Sequence, residues 1–284
     1  MPRSFRAACP LILCLCALVS ISATALKPVG RPGELVTIEQ PFGAGVIDGY
    51  NLYLPISYAD SEKSYPILLF LQGSAGVGGT VRDIANWGVP RALKEDRDMT
   101  SERNQLLLDE FIVVAPHLTA GRAQDRQYYD QAEAIDTILR SVLATYRADA
   151  QRVYATGLSR GGTGTWGLAV RLPGRFAAIV PIGGELDVAD ENNILHDLPM
   201  WIAHNRHDDV APFEPIEALT RDIEAAGGTP FYRLTEHIPP CPCYLKCARI
   251  LTSVDTEEHD AWTRLYDHPQ VFRWMLKQKR PSNA

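Results

Sequence analysis

The chain has 284 residues, 46% of them hydrophobic, and a formal net charge of −6. That length holds one large domain with a full core, or at most two small ones. The mild acidity, with no dominant basic block, argues against a nucleic-acid partner, and there is no internal repeat or low-complexity tract.

Arg3 and Arg6 precede an uncharged run from Ala7 to Ala25, and Ala23-Thr24-Ala25 supplies the small residues of a cleavage site. This is the pattern of a secretory signal peptide covering residues 1–25. Its strongly apolar core, Leu11 to Val19, is shorter than the roughly 20 residues of a membrane span. Leucines precede Cys14 and Cys16 where a lipoprotein anchor would want small residues. The expected mature domain is therefore 26–284, secreted or periplasmic, with no stable membrane span.

Along the mature chain, Leu35–Ile38 and Val46–Leu54 are the first expected strands. Tyr65–Leu71 is a continuous apolar run ending at Gly73, as a strand buried on both faces should be, and Phe111–Ala115 is another. Residues 129–146 follow helical spacing, with Ala132, Ile135, Leu139, Val142, Leu143 and Tyr146 on one face. A strand over 152–156, a helix from 160, strands over 176–182 and 200–204, a helix near 214–226, a strand over 231–234 and a last helix over about 269–279 complete the pattern. Alternating strands and helices with right-handed crossovers predict an α/β domain with a mostly parallel sheet, whose ligands bind at the carboxyl ends of the strands.

Between one such strand and helix stands Gly157-Leu158-Ser159-Arg160-Gly161-Gly162. The G-x-S-x-G spacing at a strand-to-helix junction builds a sharp turn that lifts a serine hydroxyl clear of the sheet, and the glycines relieve close contact. A serine nucleophile needs a base and an orienting acid, which in this setting follow in the order serine, acid, histidine. Of the downstream histidines, His259 stands in 257-EEHDAW-262, just before the final helix. The strand 199-PMWIAH-204 ends in the loop 205-NRHDDVAP-212, which offers Asp208 and Asp209 as acids. His204 and His207 are read as structural, Trp166 and Trp262 as packing residues, and His117 as either a pocket-lining or a surface-loop residue.

These segments together resemble the α/β-hydrolase superfamily, specifically exported esterases of the polyhydroxybutyrate-depolymerase-like and phospholipase/carboxylesterase groups. The resemblance covers roughly residues 46–280 and rests on 52-LYLPISY-58, 65-YPILLFLQGSAGVGG-79, 112-IVVAP-116, the stretch 146–184, 201-WIAHNRHDDVAP-212 and 259-HDAW-262. It implies Ser159 as nucleophile, His259 as base and Asp208 as acid, the aspartate standing four residues after the histidine that ends the strand. It also implies an oxyanion hole made of the backbone N–H groups of Ser74 and Arg160, and no cofactor. Two positions depart from the family: Gln72 stands before Gly73 where histidine is usual, and Asn205 follows His204 where glycine is usual.

Residues 94–110 and 237–256 read as insertions that would shape the substrate pocket. The second contains Cys241, Cys243 and Cys247, the three cysteines left after the signal. In an oxidising compartment they suit one disulfide that includes Cys247 and one spare thiol; with His237 they could instead ligate zinc. The expected function is hydrolysis of a small-molecule or polymeric carboxylic ester through an acyl-enzyme. The rivals are a serine peptidase of the prolyl-oligopeptidase-like branch and a non-catalytic binding protein of the same fold.

Overall fold

The computed structural model describes residues 29–43, 46–119, 127–190, 193–235, 238 and 245–281. The expected signal peptide, His237, Cys241 and Cys243 lie outside these residues. The described strands are β1 (Leu35–Ile38), β2 (Ile47–Tyr53), β3 (Tyr65–Leu71), β4 (Ile112–Leu118), β5 (Ala148–Leu158), β6 (Ala178–Ile182), β7 (Met200–Ala203), β8 (Tyr232–Leu234) and β9 (Arg249–Thr252). The helices are α1 (Gly88–Glu95), α2 (Glu102–Glu110), α3 (Ala132–Thr145), α4 (Arg160–Arg171), α5 (Glu214–Ala225), α6 (Trp262–Tyr266) and α7 (Pro269–Lys277).

The strands form one sheet in the order β1-β2-β4-β3-β5-β6-β7-β9-β8. β1 and β2 pair antiparallel to each other, β2 pairs antiparallel to β4, and every other pairing is parallel. This is the mostly parallel α/β architecture expected from the sequence. Apolar cores cover both faces. Leu69, Val114 and Ala155 join one with Ile135, Leu139 and Trp166, while Phe70, Val113 and Tyr154 join the other with Leu108, Phe272 and Trp274. Alternate residues of one strand serve opposite cores, which is why the central strands read as unbroken apolar runs.

The chain runs from β3 to β4 on one side, then crosses back to β5 on the other. The carboxyl ends of β3 and β5 therefore flank a crevice where the winding reverses, the usual ligand site of such sheets. Ser74 follows β3 and Ser159 follows β5.

Two of the expected loops hold regular elements. The polar stretch 94–110 contains α2, which packs on α7. Buried Asn104 donates to Asp96 Oδ1 at 2.7 Å and to the Asp98 carbonyl at 2.9 Å, so the helix carries its own tether to the preceding turn. The stretch 237–256 contains β9, inserted between β7 and β8. The strand over 231–234 is thus the sheet's edge, with Tyr232 and Arg233 exposed, and β9 is the strand that leads to His259. None of the described helices is long and apolar enough to cross a membrane.

Candidate active site

β5 ends at Leu158 and α4 begins at Arg160, so Ser159 alone makes the turn, at φ 54° and ψ −121°. A positive φ is strained for a residue with a side chain, and it persists only where the surroundings impose it. The surroundings here are tight backbone contacts. A Cβ on Gly157 would lie 2.8 Å from the Leu71 carbonyl oxygen, and one on Gly161 would meet that same carbonyl. The glycine spacing of the motif therefore lets β5 and the start of α4 press against the end of β3.

His259 sits on the loop between β9 and α6. Its Nε2 lies 2.9 Å from Ser159 Oγ, and its Nδ1 lies 2.6 Å from Asp208 Oδ2. A carboxylate only accepts, so Nδ1 carries the proton and Nε2 is left to accept from the serine hydroxyl. Asp208 Oδ1 accepts from the backbone N–H of Val210 and of Ala211, each at 2.9 Å. The Asp208 carboxylate is fully buried and meets His259, whereas Asp209 is exposed. The His259 ring stands edge-to-face with Trp262, centroids 5.1 Å apart at 86°. Trp262 thus packs on the imidazole itself.

The loop after β3 approaches the same serine. A Cβ on Gly73 would lie 2.7 Å from Leu158 Cδ1 and 3.4 Å from Ser159 Cβ, so Ser74 is carried up to the turn. Gln72 is buried and donates through Nε2 to the Gly76 carbonyl at 2.8 Å, closing the 72–76 turn. Arg160 Nε donates to Ser74 Oγ at 3.0 Å and ties the two halves together. Ser74, Arg160, Thr163, Glu185, Val210 and His259 are among the residues around a cleft of about 240 Å³ that opens onto Ser159. A larger hollow of about 800 Å³ lies at the amino ends of β6 and β7, beside Phe176 and Pro199, and includes none of the expected site residues. The carboxyl-end cleft is the functional candidate on topological grounds.

Other expectations resolve differently. His117 is neither pocket-lining nor in a surface loop: it is fully buried in β4, with Nδ1 2.7 Å from Asp48 Oδ1. His207 is exposed and meets Asp255 at 2.6 Å. Cys247 is half-buried and forms no disulfide among the described residues. Within those residues, no group of three or more His, Cys, Asp or Glu stands together as a metal site. His204 is buried, its Nε2 donating to the Ala211 carbonyl at 2.7 Å. Burial holds its pKa below the ordinary imidazole value, against the opposing pull of that carbonyl and of Asp208.

No family model matches the chain. Over 113 residues, 39% of the chain, it is 26% identical to the bifunctional acetylxylan esterase/xylanase of Neocallimastix patriciarum, of which the match spans 17%. The structure is similar to that of a thermostable esterase (TM-score 0.66, 24% identity, 87% of this chain and 63% of the other). It is also similar to the feruloyl esterase module from Clostridium thermocellum complexed with sinapinate (TM-score 0.64, 16% identity, 90% and 93%). The fold is the α/β-hydrolase fold. The chain spans less than two thirds of the length of the thermostable esterase and a small part of the bifunctional relative. Strand β5, followed by the Ser159 turn and α4, lies mid-sheet, and Asp208 and His259 come from the loops after β7 and β9.

Proposed function

We propose that the chain is a serine hydrolase of carboxylic esters that works through an acyl-enzyme. The reading is carried by one observation: an unbroken hydrogen-bonded series from Ser159 Oγ through His259 to buried Asp208, with the serine on a strained turn at an open cleft. In this reading Ser159 Oγ attacks the ester carbonyl while His259 Nε2 takes its proton. Asp208 holds the imidazole tautomer and steadies the imidazolium. The tetrahedral oxyanion is bound by the backbone N–H groups of Ser74 and Arg160, each such donor contributing about 3 kcal/mol. His259 then returns its proton to the leaving alcohol and activates the water that releases the acid.

The similarity to an acetylxylan esterase and to a feruloyl esterase makes acetylated xylan and feruloyl esters the first substrates to test. Residues 1–25 support export, which would place the Cys241–Cys247 segment where a disulfide can form. Mass mapping that finds three free thiols in the exported protein removes the disulfide.

The deciding experiment is labelling with a fluorophosphonate and mapping of the modified peptide, followed by a panel of esters and matched peptides. Label on Ser159, its loss in Ser159→Ala and turnover of esters but not peptides are expected. A folded protein that takes no label would turn the assignment toward a binding protein, and turnover confined to peptides would turn it toward a peptidase.

A further inference from the structure

The end of β7 carries two side chains whose hydrogen bonds reach both loops of the site. Backbone bonds continue the β7–β9 pairing past the strands: His204 N–H to the Thr252 carbonyl at 3.0 Å, Arg206 to Val254 at 2.9 Å and His207 to Thr256 at 3.1 Å. The loop bearing Asp208 and the loop bearing His259 thus run side by side. His204 and Asn205 are each 1% exposed. The His204 side chain reaches the acid loop, with Nε2 2.7 Å from the Ala211 carbonyl and 3.5 Å from Asp208 Oδ2. Ala211 is also one of the two residues whose N–H groups hold Asp208 Oδ1. The Asn205 side chain reaches the histidine loop, with Nδ2 donating to the Glu258 carbonyl at 2.7 Å, one residue before His259. Its Oδ1 accepts from Arg264 at 3.4 Å, the first turn of α6.

We infer that His204 and Asn205 are paired positioning residues, His204 fixing the acid turn and Asn205 fixing the histidine loop, so that together they set the Asp208–His259 alignment. The inference rests on the catalytic reading above. Glycine at 205, usual in the resembled family, has no side chain to make the second bond, so this brace belongs to the chain itself. Both groups are matched to their acceptors. The donors are buried, and the accepting carbonyls of half-buried Ala211 and exposed Glu258 would each lose that side-chain bond. The charged and titratable groups facing His204 are Asp208, His259 and Glu185.

The test uses uncharged changes on the full chain. Asn205→Leu keeps a similar volume but removes the donor. His204→Leu removes the donor, whereas His204→Gln places an amide N–H near the position of Nε2. A misaimed carboxylate steadies the imidazolium less, so the acid limb of kcat/KM should move to lower pH along with the rate. Asn205→Leu and His204→Leu are expected to lower kcat about tenfold to a hundredfold with KM within about twofold, and His204→Gln to stay within about threefold of wild type. If His204→Leu does not fold, Asn205→Leu and His204→Gln still decide. Wild-type kcat and an unmoved acid limb in folded Asn205→Leu overturn the inference, as does a His204→Gln as impaired as His204→Leu. A wild-type chain that neither hydrolyses esters nor takes label at Ser159 would instead overturn the catalytic reading.

Discussion

Asp208 and Asp209 are neighbours of identical chemistry, and the sequence separated them only through a resemblance. The folded chain separates them physically. One carboxylate is buried, holds two backbone N–H groups and meets His259 Nδ1, and the other faces solvent. Asp208→Asn is therefore expected to lower kcat about 10,000-fold by presenting the wrong imidazole tautomer, while Asp209→Asn stays within about twofold. Steady-state kinetics on any ester the wild type turns over checks both; equal losses would move the acid to the pair. The same contrast explains what the sequence hid. The Ser159 turn was legible because a strand–turn–helix junction this tight demands a fixed local glycine pattern. Asn205 was not, because its importance depends on a carbonyl 53 positions away.

At the scale of elements, the central strands were legible because two cores demand continuous apolar runs. The missed elements obey weaker patterns. α2 buries only Asn104, Leu107 and Leu108, so its sequence reads as a charged loop. β9 is four residues long and begins with Arg249. That arginine is 1% exposed, donates to the Leu195 carbonyl at 2.7 Å and the Thr229 carbonyl at 3.0 Å, and lies 5.6 Å from the Phe231 ring centroid. Burial lowers its pKa, yet the two carbonyls satisfy it as a cation. Arg249→Ala would leave both carbonyls short of a donor beside a cavity, and a loss of about 3 kcal/mol is expected in a denaturant titration. A loss under about 0.5 kcal/mol would show that water replaces the guanidinium without cost. Gly161→Ala tests the packing under the turn. Its methyl would press on the Leu71 carbonyl, the last residue of β3 before the Ser74 loop. A destabilisation of about 1–3 kcal/mol is expected, with a fall in kcat from the displaced loop. Unchanged stability would mean that β3 and α4 can part freely.

For the whole molecule, two imidazoles, His204 buried and His268 half-buried, link stability to pH. Burial lowers the pKa of both His204 and His268 from the ordinary 6.5. His268 caps α7, its Nδ1 accepting from the Gln270 N–H at 3.3 Å, so protonation would remove an acceptor and set a positive charge at a helix N-terminus. As pH falls below 6.5 the unfolded chain takes up these protons while the folded chain does not, so folding loses stability across the interval down to the folded-state values. Paired carboxylates act in the same direction but later. Glu224, held down first by its bond to Arg233, gives up its contribution only below its ordinary 4.5. Thermal unfolding should therefore be level from about pH 7 to 8 and then begin to fall below about 6.5, ahead of the carboxylate range. His204→Gln and His268→Asn, the latter retaining a capping side chain, should each flatten part of that fall. An undiminished slope in the double variant would place the titrating groups elsewhere.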